Sequence, residues 1–364
     1  MTNTAGLSIT YKNIHNRFKL DGNYFSREDL SLVAYNFIKE GEPYQKAIGD
    51  FLLDWIDDKD TITAFTSGST GNPKKIQLEK QSMVNSALAT GDFFGISVGD
   101  RALLCLPVAY IAGKMMLVRA MILGLEIDLI RPVSAPLEET CNGYDFVAMT
   151  PMQVEHSVAA LDRIKTLIVG GAPMSGALKA KLTETSCSVY ETYGMTETVS
   201  HIAAKKITGN DGEAASCFHA LPGVGISTDE RGCLVIDAPE ISGKQVVTND
   251  LVELVAENTF RWLGRYDHVI NSGGIKLIPE QIEEKLRSII PGRFYVSGVK
   301  DARLGEKLVL FVEESSNPGW TAEAVEKAIR TLHSLGKYEV PKEIRLEKNF
   351  RETQNGKLLR HRDL

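Results

Sequence analysis

The stretch that decides the fold is TSGSTGNPK, residues 66–74. Small residues let a loop wrap an anion with backbone N–H groups, hydroxyls add donors, and lysine adds positive charge. The spacing differs from the Walker pattern, because Gly68 and Gly71 are too close together and Lys74 is followed by Lys75. The composition indicates phosphate binding, although a plain surface loop can have the same composition. The candidate phosphate-binding residues are Thr66, Ser67, Gly68, Ser69, Thr70, Gly71 and Lys74.

Three further motifs follow along the chain. They are YETYGMTET at 190–198, GRYD at 264–267 and NGKLLR at 355–360. In identity and order, the four motifs resemble those of the adenylate-forming superfamily, which includes acyl-CoA synthetases, luciferases and peptide-synthetase adenylation domains. The resemblance extends from about Thr61 to the C-terminus. It implies a nucleotide-dependent enzyme that activates a carboxylic acid.

Composition is ordinary for a soluble globular protein. The chain has 364 residues, 43% hydrophobic and 24% charged, which is enough for two domains with their own cores. A net charge of −6 argues against a general nucleic-acid binder. Residues 1–18 lack the apolar core of a secretory signal, and the apolar region 102–125 is interrupted by charged residues, proline and glycine, so we expect no membrane span. Five scattered cysteines favour a reducing cytoplasm over a zinc site or disulfide framework.

The order of elements predicts an α/β fold with two domains. Short apolar runs alternate with helical ones up to about residue 211, and glycine-punctuated strands then form a β-rich subdomain over 212–261. We predict a large adenylation domain over 1–266 and a small, mobile α+β C-terminal domain over 267–364. Predicted helices lie at 26–39, 80–94, 279–286 and 322–335, and predicted strands include 103–106, 245–247, 251–255, 294–299 and 308–313.

The resemblance implies roles for residues around the nucleotide. Thr196 would contact the α-phosphate, and Glu197 would bind Mg²⁺, which prefers hard oxygen ligands. Tyr193 would stack on adenine, with the segment 170–173 along the other face. Asp250 and Arg265 would contact the ribose. For Glu197 alone, a solvated acid at a helix start is the ordinary alternative. The candidate nucleotide-binding residues outside the first loop are Gly171, Ala172, Thr192, Tyr193, Gly194, Asp250 and Arg265.

The C-terminal region carries the implied catalytic lysine and hinge. Lys357 would bring a compact positive charge to the developing negative charge of the reaction. Locally it cannot be told from other lysines of a solvated basic tail, and the proline common before this motif is missing. Asp267 matches the hinge position, about which the small domain would rotate. That rotation would replace the Lys357 face with the face of Gly273 and Gly274, which would line a tunnel for CoA.

The acid-binding pocket is expected near residues 106–113. Tyr110 stands where a gating aromatic or histidine is expected, and no aspartate suited to a substrate amine occurs there, which disfavours an amino acid. Arg119 lies in an apolar run, so either a structural partner or snorkelling explains it, or it meets a second carboxylate of the substrate. Lys114 could add a second charge. The pattern resembles the o-succinylbenzoate–CoA ligases of menaquinone biosynthesis, although those usually carry histidine at the Tyr110 position and a longer N-terminal region.

We therefore predict an ATP- and Mg²⁺-dependent acid–CoA ligase, most like those acting on o-succinylbenzoate. The alternatives are an adenylating enzyme that loads another aryl or fatty acid onto a carrier protein, and a nucleotide sensor without chemistry. A serine hydrolase is disfavoured, because the Gly-x-Ser-x-Gly match at 95–99 follows a predicted helix where the nucleophile elbow requires a strand. Expected partners are a small carboxylic acid, ATP and CoA, without nucleic acid; a homo-oligomer is compatible with the sequence.

Overall fold

The computed structural model describes residues 9–65, 75–209, 216–352 and 358–360. Thirteen strands of the first 265 residues join one sheet, and the two strands 61–65 and 75–79, which follow the second helix, pair separately as a hairpin. The strands of this part of the chain are β1 (Lys19–Leu20), β2 (Asn23–Tyr24), β3 (Thr61–Phe65), β4 (Lys75–Glu79), β5 (Arg101–Leu104), β6 (Glu126–Leu129), β7 (Tyr144–Met149), β8 (Ile164–Val169), β9 (Ser188–Gly194), β10 (His201–Lys206), β11 (Phe218–Ala220), β12 (Gly225–Thr228), β13 (Cys233–Asp237), β14 (Val246–Ala256) and β15 (Thr259–Arg265).

The large sheet has a parallel half and an antiparallel half. The strand order is β12-β13-β14-β15-β11-β10-β9-β8-β7-β5-β6-β1-β2. From β1 to β9 the neighbours pair in parallel, and from β9 to β12 they pair antiparallel. The predicted β-rich segment is therefore not a separate sheet, because β10 pairs with β9 and β11 within the large sheet. The two halves meet at β9, where the carboxyl ends of the parallel strands form one edge.

Helices cover the sheet and fill its core. They are α1 (Arg27–Glu40), α2 (Pro43–Ile56), α3 (Lys80–Phe94), α4 (Ile111–Leu123), α5 (Pro151–Ser157), α6 (Gly176–Leu182) and α7 (Pro239–Ser242). Helix α4 is apolar on nearly every side and is buried accordingly, packed against α3 and the sheet. It begins shortly after the parallel strand β5, so its side chains lie near the carboxyl edge of the sheet.

The last part of the chain forms a second, five-stranded sheet with its own apolar core. Its elements are β16 (Ile270–Ser272), β17 (Ile275–Leu277), α8 (Pro279–Leu286), β18 (Phe294–Asp301), β19 (Gly305–Glu313), α9 (Ala322–Arg330) and β20 (Glu343–Glu347). The change from one sheet to the other falls between Arg265 and Ile270. The division into two domains between 266 and 267 stays a prediction.

The predicted α/β class is confirmed, and so are several helices. Helix α1 has Ser26 as its N-cap in a capping box with Asp29, and α3 spans 80–94 as predicted. Two predictions differ from the structure. Helix α9 ends at Arg330 and not at 335, and the two strands predicted at 245–247 and 251–255 form the single strand β14, which bends at a bulge. Among the described residues, no helix is long and apolar enough to cross a bilayer.

Candidate active site

The carboxyl ends of β8 and β9 bring two of the predicted nucleotide segments together. Val169 at the end of β8 lies opposite Glu191 of β9 in the parallel register. The Thr192 hydroxyl donates a hydrogen bond to the Val169 carbonyl (3.1 Å), and a Cβ atom at Gly170 would approach the Thr192 oxygen to 2.6 Å. Only glycine therefore allows this contact, and Gly171 follows with φ +87°, a left-handed conformation.

The loop between β9 and β10 carries the Thr196-Glu197 motif. Gly194 lies directly opposite His201 in the antiparallel register, and a Cβ atom at Gly194 would collide with the backbone of Ser200 and His201. At the end of the loop, Val199 adopts φ +64° and ψ −57°, and the Ser200 N–H donates to the Thr198 carbonyl at 2.6 Å. This strained γ-turn at a buried β-branched residue costs on the order of 1–3 kcal/mol and fixes where β10 begins.

Tyr193 and Asp250, predicted to contact adenine and ribose, lie side by side. The Tyr193 hydroxyl donates to one Asp250 oxygen (2.7 Å), and the Trp262 indole N–H donates to the other (3.1 Å). Asp250 is 6% exposed. Burial, together with the nearby Asp250 charge, raises the pKa of Tyr193, so its proton stays on the hydroxyl. A carboxylate has about four acceptor positions, so Asp250 keeps acceptor capacity beside these two bonds.

Arg265 joins this pair because of strand register. Asp250 of β14 and Arg265 of β15 are directly opposite each other, with 3.7 Å between their closest charged atoms. Arg265 also donates to Asp267 at 3.0 Å, and Asp267 accepts from Asn249 at 3.3 Å. The predicted ribose pair on neighbouring strands and the predicted hinge residue, in the 3₁₀ turn just after β15, therefore belong to one polar group.

Thr196 and Glu197 lie in a 3₁₀ turn, Thr196–Thr198, next to the Tyr193 strand end. Glu197 is exposed, and within the described part of the chain no hydrogen bond or ion pair is assigned to it. A single carboxylate of this kind fits Mg²⁺, which usually takes one or two protein carboxylates and fills its remaining positions with phosphate oxygens and water. The residue present therefore suits the predicted metal, and its role stays a prediction.

Arg119 lies deep between α3, α4 and β10, with 2% of its surface exposed. Its Nη2 donates to the Ser200 hydroxyl (3.2 Å) and to His201 Nδ1 (3.4 Å), and Nη1 points at the Met116 sulfur (3.8 Å). Within the described residues, Nε has no hydrogen-bond partner and no carboxylate forms an ion pair with the guanidinium. Burial lowers the pKa of Arg119 to about 9, so at neutral pH it is a cation whose partners are all neutral.

The other two predicted acid-binding residues lie elsewhere. Tyr110 is the N-cap residue of α4 and is half-exposed. Lys114 lies 4.9 Å from the ring centre of Phe51 on α2, near Asp50 and Asp54, and burial lowers its pKa. Lys114 thus faces α2 while Arg119 faces β10, so the structure does not bring the two charges together.

Two predicted elements fall outside the described residues: the loop 66–74 and Lys357. Phe65 and Lys75, on either side of that loop, are directly paired in the β3–β4 hairpin. On either side of the C-terminal motif, Glu352 and Leu358 form an antiparallel bridge. Gly273 and Gly274 form the two-residue turn between β16 and β17, with φ +62° and +83°, a turn that requires glycine-like residues.

The sequence pattern of the AMP-binding enzyme family matches residues 32–240, which is more than half of the chain. The chain belongs to the AMP-binding enzyme family.

Relatives of this AMP-binding enzyme agree with the fold. A 2-succinylbenzoate–CoA ligase of Enterococcus faecalis is 28% identical over 335 residues, which cover 82% of this chain and 68% of the relative. The crystal structure of an acyl-CoA synthetase (AMP-forming)/AMP-acid ligase II-like protein from Dyadobacter fermentans is 38% identical with a TM-score of 0.61, covering 90% of this chain and 95% of that one. O-succinylbenzoate coenzyme A synthetase from Bacillus subtilis, in complex with ATP and magnesium ion, is 20% identical with a TM-score of 0.72, covering 85% and 74%, and shares the fold.

In this AMP-binding enzyme, several site residues escaped the sequence prediction. Trp262 holds Asp250, Phe218 and Phe260 pack against the Tyr193 ring, and Ser200 and His201 contact Arg119. The position of Ser200 and His201 directly after the Thr196-Glu197 motif could have drawn attention to them. The aromatic residues carry no such local sign, because they reach Tyr193 only through strand pairing.

Proposed function

We propose that this AMP-binding enzyme is an ATP-dependent acid–CoA ligase that adenylates 2-succinylbenzoate and transfers the acyl group to CoA. The carrying observation is Arg119, a buried cation whose partners within the described chain are all neutral, in the helix that follows the Leu-Pro segment. A buried charge is costly unless an opposite charge meets it. A second carboxylate of an aromatic dicarboxylic acid supplies that charge, and relatives at 25% to 28% identity bear the name 2-succinylbenzoate–CoA ligase.

The nucleotide would occupy the edge where β8 and β9 end. Tyr193 would offer its ring to adenine, alongside the Gly171-Ala172 backbone, and Asp250 with Arg265 would hold the ribose. The loop 66–74 would cradle the outer phosphates, and the Thr196 hydroxyl would donate to the α-phosphate. Glu197 would hold Mg²⁺, which supplies charge neutralisation at the phosphates when bound.

In the first step, one substrate carboxylate oxygen attacks the α-phosphorus, and pyrophosphate leaves. The reaction places negative charge on phosphoryl oxygens, so the chain contributes mainly position and positive charge. Lys357 would supply that charge. In the second step the CoA sulfur attacks the acyl carbonyl and AMP leaves, with Asp267 as the hinge and Gly273 and Gly274 beside the pantetheine arm.

We also propose a cytoplasmic site of action, because all five cysteines are described as free thiols and four of them are buried. A homo-oligomer stays a prediction that gel filtration with light scattering would test.

Acid-dependent exchange of labelled pyrophosphate into ATP tests the first step directly. We expect rapid exchange with 2-succinylbenzoate and slow exchange with 4-oxo-4-phenylbutanoate and fatty acids. Lys357→Ala should lower exchange about 100-fold or more, since one preorganised charge at a developing oxyanion contributes that much. ATP binding should persist. Lys348→Ala is the matched control, an exposed lysine of the same basic tail.

Each result has a separate meaning. Strong exchange with a monoacid and none with 2-succinylbenzoate would overturn the substrate while keeping adenylation. Exchange without thioester formation on added CoA would favour a carrier protein as acceptor. Equal rates for Lys357→Ala and Lys348→Ala would contradict the role of Lys357.

A further inference from the structure

Arg119 is oriented by a chain of neutral hydrogen bonds that reaches from β10 to α3. Ser200 and His201 accept from Nη2 on one side, and on the other they contact Ser86 and Thr90 of α3. The distances are 2.8 Å between the Ser86 and Ser200 hydroxyl oxygens and 3.5 Å between Thr90 Oγ1 and His201 Nε2. Every member of the chain is buried or nearly so.

Donor and acceptor counting fixes the state of His201. Arginine only donates, so His201 Nδ1 must be the acceptor and carries no proton. The ring proton is then assigned to Nε2, which faces Thr90. The Thr90 hydroxyl already donates to the Ser86 carbonyl (2.8 Å), so its oxygen is free to accept from Nε2. The arrangement is consistent only with a neutral imidazole.

We propose that His201 is a positioning residue that orients Arg119 without neutralising it, and thereby sets the selectivity for a dicarboxylic acid. A carboxylate at position 201 would form an ion pair with Arg119 and neutralise the positive charge that attracts an anionic substrate group. The imidazole instead holds one guanidinium nitrogen and leaves the charge available. Nε has no partner within the described residues, and Nη1 faces only a sulfur, which is a weak acceptor.

The strained turn before β10 helps to place Ser200 and His201 next to Arg119. Val199 in its left-handed conformation ends the motif loop and starts β10, so that Ser200 and His201 both reach Arg119. The close approach of Gly194 to the His201 backbone links this position to the nucleotide segment. Strain of this kind persists where the surroundings hold it, and it accumulates at functional sites.

The test is a selectivity measurement on the full chain, and it rests on the proposed function. Pyrophosphate exchange is measured with 2-succinylbenzoate and with 4-oxo-4-phenylbutanoate, which keeps the ketone and the aliphatic carboxylate but lacks the carboxylate on the ring. In His201→Phe the ring still packs on Phe94 but the acceptor is lost. We expect the KM for 2-succinylbenzoate to rise about 10-fold, as for one lost hydrogen bond to a charged group. The KM for ATP and the rate with 4-oxo-4-phenylbutanoate should stay within about 2-fold of the unmodified enzyme.

Two further variants separate positioning from mere stability. His201→Gln offers a neutral acceptor and donor of similar reach, and should recover most of the selectivity. In an Arg119→Met background, His201→Phe should add no further loss, because the group that it orients is gone. Thermal midpoints are recorded for all variants.

Contrary results are readily recognised. If His201→Phe lowers exchange equally with both acids, or shifts the thermal midpoint while the selectivity ratio holds, His201 is structural and the inference is wrong. An additive loss in the double variant would also overturn it. If the unmodified enzyme shows no preference for 2-succinylbenzoate, the substrate assignment fails first and the inference fails with it.

Discussion

Two arginines, Arg119 buried in the large region and Arg360 partly buried in the C-terminal region, are held in opposite ways. Arg360 in the C-terminal region forms two hydrogen bonds with Glu283 (2.6 and 2.9 Å) and lies 3.5 Å from Glu280. Arg119 in the large region meets two neutral acceptors and a sulfur. A cation that the fold itself neutralises stabilises the fold, whereas one left with neutral partners is ready for an external anion.

The carboxylates around Arg360 compensate its positive charge within the fold. Burial raises the pKa of Glu283, although Arg360 opposes the shift. At Glu280 burial also acts upward, but the hydrogen bond from His268 and the charge of Arg360 outweigh it and hold the pKa below its usual range. These three charges and His268 connect α8 with the chain end and with the segment that follows Asp267. The contact has the character of a structural anchor.

The largest expected effect comes from breaking that anchor. Arg360→Met leaves Glu283 buried without its cation, so we expect a loss of about 3–5 kcal/mol in the free energy of unfolding. Denaturant titration measures it. The control is Arg330→Met, which removes an exposed i,i+4 pair with Glu326 and should cost below about 0.5 kcal/mol. Equal losses in the two variants would show that Arg360 is no more important than a surface charge.

The next effect separates binding from stability at Arg119. Arg119→Met should lower kcat/KM for 2-succinylbenzoate about 100-fold, which is about 2.7 kcal/mol, through loss of the paired carboxylate. The free energy of unfolding should stay the same or rise, because a desolvated charge is replaced by an apolar side chain. Lys114→Met is the control: since Lys114 faces Phe51, selectivity should hold. A large loss of stability in Arg119→Met with unchanged selectivity would show that Arg119, like Arg360, stabilises the fold and does not bind the substrate.

The smallest effect is a pH dependence at His201. Burial, and then the charge of Arg119, holds the pKa of His201 well below its ordinary 6.5. Below pH 6.5 the unfolded chain therefore binds a proton at this histidine that the folded chain does not bind. The free energy of unfolding decreases as the pH is lowered below about 6.5, and it increases as the pH is raised to that value. The slope should be at most about 1.4 kcal/mol per pH unit for this group. The difference in the free energy of unfolding between pH 7 and pH 5.5 should be smaller for His201→Phe than for the unmodified enzyme. The same difference in both proteins would contradict a neutral buried histidine.

The contiguous parts of the candidate site are those that the sequence alone could group together. Thr192, Tyr193, Gly194 and the Thr196-Glu197 pair lie within a few residues, so their motif carries its own context. Asp250 and Arg265 were reached only through the family resemblance, and their closeness comes from a strand pairing that local composition does not determine. His201 had one local sign, its position directly after the Thr196-Glu197 motif, but its contact with Arg119 depends on α3 and α4 packing against β10.

The bounds of the helices and strands can likewise be divided into those that local sequence determines and those that tertiary contacts determine. Helices α1, α3 and α8 begin or end at local features, such as the Ser26 cap, Gly95 after α3 and Pro279 at the first position of α8. The end of α9 and the continuity of β14 depend on neighbouring strands and loops, and there the sequence prediction was wrong.

Because Asp250 pairs directly with Arg265, the closeness of this predicted ribose pair depends on the number of residues in the β14–β15 hairpin. Successive side chains of a strand point to opposite faces, so one residue added between Asp250 and the hairpin tip, or between the tip and Arg265, would turn one partner away from the other wherever no new bulge absorbs it. Extra residues at 257–258, between the strands, would leave the pair in place. Natural or engineered variation in this enzyme should therefore tolerate insertions at the hairpin tip and reject odd-numbered ones a few residues away.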